Sequence, residues 1–447
     1  MSNSKSATAS NVKKLSVQAK GSENTADLSN GLINLMYTES ILQDAIRCSV
    51  TFVDTGNAID GAEGKTAVEG LPIEGGEEVT LKLEDVNGEI LNLTLDVNKV
   101  TNLVSETNKS QHQLNLVSPE FELNEEVRIN ERMDGRVSDH IKKILTDQNY
   151  LATEKEVDIE ETSNNYNFIG NNTKPYYALN WLSKTAVSAE NQKKGKSAGY
   201  FFFETSEGFK FKSIDGLLSQ KQKKSIIYTQ TADNVAGYDT KALQFNKDNS
   251  VDVQKKKAAG AFSTRTILFD PFNCYYEVVK PNSQEIEQED GIKTAGKRLP
   301  DVRKDPNKRS PKKEFTRTTY YLIDRGTLPS GTTNQQLSKS REQNFDPKNI
   351  LNQAIMRYNQ LYSSKVTITI AGDFSLHAGD VVFVDAPGVE SSPKKEEVDK
   401  KNGGLYIIAD LCHLVTPKET YTKLNLVRDS FGRKGNHTSR PPLQGNP

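Results

Sequence analysis

The side chains that most often bind metals are few and scattered in this sequence. The five histidines are His112, His140, His377, His413 and His437, and the three cysteines are Cys48, Cys274 and Cys412. No two histidines stand four residues apart, and no C-x-x-C occurs. Cys412 and His413 are adjacent within a predicted strand, where neighbouring side chains point to opposite faces. We therefore expect no metal site and assign no metal-binding residue.

Glycine motifs for phosphate or dinucleotide binding do not occur either. The sequence has no P-loop, and no G-x-G-x-x-G follows a predicted strand. The pair Gly75-Gly76 precedes a predicted hairpin rather than a helix, so no helix N-terminus is available there for a phosphate. These patterns predict no cofactor and no catalytic residue.

Charged residues are abundant, but they lie in polar runs. Acidic runs around Glu77 and around Glu287 are typical of solvated loops. The 59 acidic residues still leave open a carboxylate pair that cleaves a glycosidic bond. The basic run from Lys293 to Lys313 has no interleaved aromatic residue for base stacking. That composition favours a solvated loop, with polyanion binding as an alternative, and Trp181 on a helical apolar stripe is expected in the core.

The bulk composition predicts several folded modules with long polar segments. The 447 residues are 35% hydrophobic and carry a formal net charge of -1, so no overall basic field attracts nucleic acid. Three widely spaced cysteines are typical of a reducing compartment. No apolar N-terminal segment and no window of about 18 apolar residues occurs, so we expect a soluble chain made in the cytosol.

The first part of the chain alternates with the period of strands. We expect a flexible arm over 1–30 and then strands at 46–53 and 121–130. Between them, alternating apolar residues on both sides of Asn87-Gly88 predict a hairpin, because this dipeptide tolerates positive φ at both turn positions. Residues 31–132 are therefore predicted to form a small β-barrel or sandwich.

After Gly135 the period changes to that of helices. One helix is predicted from Val137 with Ser138 as its cap, and a second begins near Pro175. An aromatic hairpin and a short helix follow. A third helix is expected from a cap at Asp346 and first-turn Pro347, and it leads into strands on either side of a turn at 376–380. The polar loop at 280–315 and the tail at 431–447 read as disordered.

Three motifs, in this order, resemble the tail-hub family of contractile injection machines. That family includes the central hub of T-even-like phage baseplates, the late control protein D of smaller contractile phages and the N-terminal part of VgrG spikes. The hairpin carries an F-x-F-like pattern at Phe209 and Phe211. The G-D-x-x-x-L-x-x-G-D-x-V-x-V run is matched by Gly372, Asp373, Leu376, Gly379, Asp380, Val382 and Val384. The ending is matched by Tyr406, Ile408, His413, Val415, Tyr421, Leu424, Leu426 and Arg428.

The resemblance covers roughly 135–225 and 346–430, and it implies a fold and a division of the chain. The implied class is α+β, mainly β, with two small β-barrel tube domains, packed helices, an insertion and a C-terminal β domain. The expected divisions are 1–30 as the arm, 31–132 as the first tube domain, 133–227 with 346–372 as the second, 228–345 as the insertion, 373–430 as the C-terminal β domain and 431–447 as the tail.

The resemblance also implies a role that is structural and not enzymatic. Three copies would form a ring that joins a sixfold tail tube to a threefold central spike and lines a channel. The implied partners are further copies of the chain, the spike protein, tail tube or tube-initiator proteins, the tape measure protein and baseplate wedge proteins. No membrane is involved, and nucleic acid only passes through the channel. The implied location is the virion baseplate after assembly in the host cytoplasm. A hub with cell-wall-degrading activity, or a polyanion-binding β-rich intracellular protein, remains an alternative.

Overall fold

The architecture is taken from a computed structural model of the chain. It describes residues 7–21, 23–55, 67–71, 73–106, 109–189, 198–229, 237–248, 253–260, 264–271, 274–279, 317–323, 331–341, 344, 350–362, 364–386 and 403–428. The loop predicted at 280–315, the tail at 431–447 and the predicted helix start at Asp346 and Pro347 all lie outside these residues.

The strands, in chain order, are β1 (Asn11–Gln18), β2 (Thr25–Asp27), β3 (Leu32–Ser40), β4 (Arg47–Asp54), β5 (Glu78–Glu84), β6 (Ile90–Glu106), β7 (Lys109–Val117), β8 (Arg132–Met133), β9 (Val157–Ile159), β10 (Phe168–Ile169), β11 (Tyr200–Thr205), β12 (Gly208–Ser213), β13 (Lys224–Ile227), β14 (Thr240–Asp248), β15 (Thr264–Asp270), β16 (Tyr275–Val279), β17 (Arg317–Leu322), β18 (Ser364–Ala371), β19 (Val381–Asp385), β20 (Gly404–Val415) and β21 (Thr420–Arg428). The helices are α1 (Ala67–Gly70), α2 (Pro119–Glu126), α3 (Val137–Thr146), α4 (Pro175–Ser183), α5 (Ile214–Ser219), α6 (Val253–Ala259), α7 (Thr333–Arg341) and α8 (Ile350–Leu361), with a 3-10 turn at Ser29–Gly31. Within these residues, no helix is long and apolar enough to span a lipid bilayer.

Six strands close into a barrel near the C-terminal end of the chain. Their order is β19-β13-β14-β18-β21-β20, and β20 pairs with β19 again to complete the circle. Alternate residues such as Val366, Ile368 and Ile370 point into the barrel and are buried, while Thr367 and Thr369 between them are only partly covered. Strand β19 is buried on both faces, because Val382 packs in the barrel core and Val381 packs against the aromatic hairpin.

The first β module is a sheet of seven strands in the order β3-β4-β7-β6-β5-β1-β2. Its open side is bridged by the turn before β3, where the Leu28 N–H donates to the Leu15 carbonyl at 2.9 Å. Gly31 in that turn lies so close to β4 that an added Cβ would be 2.2 Å from the Val53 carbonyl oxygen. This turn therefore lies between β1 and β4, because Leu28 extends the β1–β2 pair and Gly31 extends the β3–β4 pair.

The two β modules are joined edge to edge by one pair of strands. Residues Leu35–Ser40 of β3 pair antiparallel with Asp410–Val415 of β20. This pairing, called the seam below, makes one continuous sheet of 13 strands. It also pairs the edges that each module would otherwise leave open.

Helices α3, α4 and α8 and the sheet β11-β12-β9 form a third packed unit against the barrels. Its core contains Ile141, Leu179, Phe209 and Phe211, which are completely buried. Trp181 packs against this core, as its helical position predicts, but its side chain is only partly buried. The unit confirms the predicted order of helix, helix, hairpin and short helix.

The insertion supplies a small separate sheet in the order β16-β15-β17. One face packs towards α8, with Leu268 fully buried. The opposite face exposes apolar side chains from all three strands, among them Tyr276, Tyr320 and Leu322 at 66%, 75% and 64% exposure. Helix α6 packs near β17.

Three local predictions are wrong, and a fourth is correct for its hairpin but not for the geometry of the turn. Asn11–Gln18 of the predicted flexible arm is strand β1, which pairs with β5 because Leu15 and Val17 supply a buried apolar face. The strand predicted at 121–130 is largely helix α2, favoured by Pro119 at its first turn and by acidic residues near its positive end.

The other two of these predictions concern polar side chains in turns. The predicted hairpin around Asn87-Gly88 is confirmed, but only Gly88 has positive φ, since the Asp85 carboxylate accepts from the N–H groups of Asn87 and Glu89 and sets a longer turn. Ser138 does not cap α3, because the helix already begins at Val137 and the Ser138 N–H donates to Thr162 Oγ1 at 2.9 Å.

The expected domain limits remain a prediction. The strands of the closed barrel come from four of the expected divisions of the chain: β13 lies in 133–227, β14 in 228–345, β18 in 346–372, and β19 to β21 in 373–430. Strand pairing therefore runs across these limits, and the strands expected in a C-terminal β domain complete the second barrel.

Candidate functional site

The motif residues carried over from the sequence lie in turns and barrel strands. Gly379 has a φ of 89°, and an added Cβ would be 2.8 Å from the ring of Phe203. Asp373 accepts hydrogen bonds from Ser375 and pairs with Lys224, and Asp380 accepts from the His377 N–H at 2.8 Å. These contacts fix the conformation of the loop between β18 and β19, so the residues of the G-D run have a structural role.

The ending motif is likewise structural. Arg428 is buried, donates from Nη1 to the Gly403 carbonyl at 2.8 Å and lies 4.5 Å from the ring centre of Tyr406. His413 lies between the rings of Tyr37 and Phe374, and burial lowers its pKa to about 4, so it is neutral near pH 7.

Metal binding or nucleophilic catalysis by the described residues would need particular groups of side chains. Among the residues that the structure describes, no three His, Cys, Asp or Glu side chains come together as a metal-binding group. Residues 195–199 have the spacing G-x-S-x-G, of which 195–197 lie outside the described residues, and Gly199 is followed by strand β11, whereas a nucleophile elbow leads into a helix.

The arrangement most like an acid/base pair is formed by Glu120 and Glu204. Both carboxylates contact the Lys155 ammonium, with Nζ–O distances of 2.6 and 2.7 Å, at a cleft of about 650 Å³. The two contacting oxygens are therefore no more than about 5.3 Å apart, an upper limit that lies in the range of about 5–5.5 Å between the carboxyl groups of retaining glycosidases. Glu204 also accepts from Ser118 Oγ at 2.7 Å and the Ile46 N–H at 3.0 Å, and its side chain is fully buried.

The electrostatics of this group are those of a structural ion pair. Burial raises the pKa of Glu204, and the Lys155 charge and hydrogen bond offset only part of that effect. Burial would lower the pKa of Lys155, but the charges of Glu204 and Glu120 raise it. The ammonium therefore stays charged and occupies the space between the two carboxylates that a sugar ring would need.

A second buried group lies where the three packed units meet, and we call it the His377 junction (Glu39, Ser206, Glu207, His377 and Ala378). Glu39 of β3 accepts hydrogen bonds from the hairpin turn and from the loop before β19. Sequence reasoning singled out neither this group nor Lys155 and Glu204. The available signal was a glutamate within an apolar strand, at Glu39 in L-M-Y-T-E-S and at Glu204 in Y-F-F-F-E-T.

A shallow groove of about 760 Å³ follows the outer face of the seam. Met36 and Leu414 face each other across the β3–β20 pair, and Leu243 approaches from β14. All three are exposed, at 44%, 37% and 41%. The groove is open and apolar, which suits contact with a protein surface better than it suits catalysis.

The fold is similar to those of proteins from phage tails and secretion machines. No protein-family model matches the chain, and no curated protein matches it in sequence. The 43 kDa tail protein of prophage MuSo2 from Shewanella oneidensis is similar over 93% of this chain and 98% of its own, with 11% identity and a TM-score of 0.51. A tail protein from Neisseria meningitidis gives 94% and 98% coverage, 12% identity and a TM-score of 0.49. A component of the type VI secretion system of E. coli gives 97% and 81% coverage, 10% identity and a TM-score of 0.42.

The first similarity extends over nearly the whole of both chains. It confirms the expected class, α+β and mainly β with a closed barrel. The resemblance drawn from the F-x-F hairpin, the G-D run and the ending motif is thus confirmed at the level of the fold, and this chain has the fold of a phage tail protein.

Proposed function

We propose that this chain is a structural hub of a contractile phage tail baseplate, or of a related injection machine. The observation that carries the proposal is the seam, because it places a closed six-stranded barrel beside the seven-stranded first module in one chain. Three such chains present six β modules, two from each chain. The six modules match a sixfold tail tube, and the three chains match a threefold spike. The fold similarity to a phage tail protein supports the same role.

In this role the chain forms a homotrimeric ring around a channel. It contacts the spike protein on one side and the tail tube or tube-initiator proteins on the other, with the tape measure and baseplate wedge proteins as further partners. Nucleic acid passes through the channel without being bound by a specific site. The ring is part of the virion and is assembled in the host cytoplasm.

The mass of the pure chain in solution tests the ring directly. Light scattering is expected to give about three times the 49.7 kDa of one chain, and class averages in electron microscopy should show threefold symmetry with a central hole. A monomer at all concentrations up to those used for imaging would contradict the proposal.

The role excludes turnover of cell wall, and the Glu120–Lys155–Glu204 contacts support that exclusion. Purified chain mixed with peptidoglycan is expected to leave the turbidity unchanged. Clearing that disappears in a Glu120→Gln variant would instead support the degrading hub. Polyanion binding by Lys293–Lys313 concerns residues outside the described part of the chain and stays a prediction.

A further inference from the structure

The His377 junction connects three packed units through one buried carboxylate. Glu39 lies on β3 of the first module, Ser206 and Glu207 form the turn of the aromatic hairpin, and His377 and Ala378 precede β19 of the closed barrel. The Glu39 carboxylate is 1% exposed. It accepts hydrogen bonds from Tyr37 Oη at 2.7 Å and from the N–H groups of Ser206 and Ala378 at 2.9 and 2.8 Å.

The ring of His377 lies between two carboxylates. Its Nδ1 is 3.3 Å from an oxygen of Glu39, and its Nε2 is 3.4 Å from an oxygen of Glu207. A neutral imidazole carries one N–H, so it can donate to only one of these groups and turns a lone pair towards the other. The Ser206 hydroxyl also lies 3.2 Å from Nδ1 and can donate to a neutral ring, but only the imidazolium form places a positive charge between the two carboxylates.

Further charges around the ring come from every element packed against it. Lys223 stands nearby but pairs with Asp380 at 2.9 Å, and the Asp380 carboxylate in turn accepts from the His377 backbone N–H. On β20, His413 has its pKa lowered to about 4 by burial and is neutral near pH 7. Asp373 belongs to the same loop and pairs with Lys224. The groups in direct contact with the imidazole nitrogens are thus two carboxylates and the Ser206 hydroxyl.

We propose that His377 is a protonation-dependent latch that holds the first module, the aromatic hairpin and the closed barrel together. When the ring is protonated, Glu39 keeps its full set of donors and the three units share one ion pair. When the ring is neutral, the buried Glu39 carboxylate loses its counter-charge in a place that water does not reach. The hairpin turn and the loop before β19 then separate from β3 more often.

The direction of the pH effect follows from the neighbours of the ring. Burial by itself would lower the pKa of His377, but the hydrogen bond and charge of Glu39 and the charge of Glu207 raise it. Burial would raise the pKa of Glu39, yet the hydrogen bond and charge of His377 lower it. A histidine pKa raised on folding contributes stability that is complete below about 6.5 and is lost as pH rises through the folded value. The latch is therefore closed at mildly acidic pH and opens on the alkaline side.

Amide hydrogen exchange on the full chain tests this proposal at the two N–H groups that Glu39 holds. The protection factor, corrected for the intrinsic exchange rate at each pH, is expected to fall at Ser206 and Ala378 between pH 6 and pH 9, because the neutral ring no longer compensates the charge of Glu39. Amides of the β5–β6 hairpin are the internal control and keep their protection. In a His377→Gln variant the protection at both positions is low at every pH.

A second variant keeps the test decisive if His377→Gln does not fold. Glu207 is 48% exposed on its side chain and also pairs with Lys210 at 2.9 Å, so Glu207→Gln is expected to leave the fold intact while it removes the outer carboxylate and weakens this surface pair. The pH at which protection falls is then expected to move lower. Protection that is constant from pH 6 to pH 9 in the native chain, or a midpoint unchanged by Glu207→Gln, would overturn the latch.

Discussion

Replacement of Lys155 by methionine removes the positive charge between Glu120 and Glu204 while keeping most of the side-chain volume. In the native chain this ammonium lies 2.6 Å from one carboxylate and 2.7 Å from the other. After the change, Glu204 retains Ser118 Oγ and the Ile46 N–H as donors, and Glu120 retains Thr153 Oγ1. Two nearly buried carboxylates then face each other without a counter-charge.

The Lys155→Met change is expected to lower the free energy of unfolding by a large amount, because the Glu120 and Glu204 carboxylates are shielded from water. The side chains of Glu204 and Glu120 are 0% and 8% exposed. Removing one partner of a buried ion pair typically destabilises a protein by about 3–5 kcal/mol. A matched control is Lys212→Met, since Lys212 is about as exposed as Lys155 but pairs with the partly exposed Asp158. Surface pairs of that kind contribute about 0–1 kcal/mol.

Urea unfolding followed by intrinsic fluorescence at several pH values measures both variants. Burial holds the pKa of Glu204 above its unfolded value, so the penalty in Lys155→Met acts when this carboxylate is charged and fades as pH falls through the folded value. The difference in the free energy of unfolding between the Lys155→Met variant and the native chain should therefore become smaller from pH 7 towards pH 5. A second change, Glu204→Gln, should restore most of the stability at pH 7. A loss below about 1 kcal/mol for Lys155→Met at pH 7, equal to the Lys212→Met control, would refute this reasoning.

Three further changes test other parts of the fold. Gly31→Ala should destabilise the first module by more than about 2 kcal/mol in urea unfolding, because its Cβ would meet the Val53 carbonyl at 2.2 Å and the bridge to β4 must move. Phe211→Ala should cost about 3–5 kcal/mol in the same assay, since the ring is fully buried in the helical unit. Leu322→Glu on the exposed face of the small sheet should leave the unfolding midpoint within about 0.5 kcal/mol of native and reduce light scattering from self-association, because this side chain is 64% exposed.

Local patterns in the sequence were enough to predict those helices and strands whose structure is determined by their own residues. The alternation of Val79, Leu81 and Leu83 against Leu91, Leu93 and Leu95 predicts the β5–β6 pair, which the structure shows in that register. The helices at 137–146 and 175–183 were found from their apolar stripes in the same way. Where turn chemistry competes with alternation, as at Pro119 and Asp85, the prediction was wrong.

Contacts between distant residues left no readable signal. The seam pairs Glu39 with Leu411, and Glu39 also meets His377, 338 residues further along the chain. Nothing in the period of either strand specifies which other strand it joins. The polar groups that hold the units together were missed for the same reason, since a glutamate within an apolar strand indicates a buried carboxylate but does not identify its partners.

The seam has a mechanical consequence. Its backbone pairs run from Leu35–Val415 to Ser40–Asp410, so they tie the two modules along most of the length of β3. A hinge between the modules would have to break these bonds together, which makes independent swivelling costly. A force applied to one module is therefore transmitted to the other, and the two modules respond as one stiff body. Any large rearrangement must move the two modules together and not relative to each other.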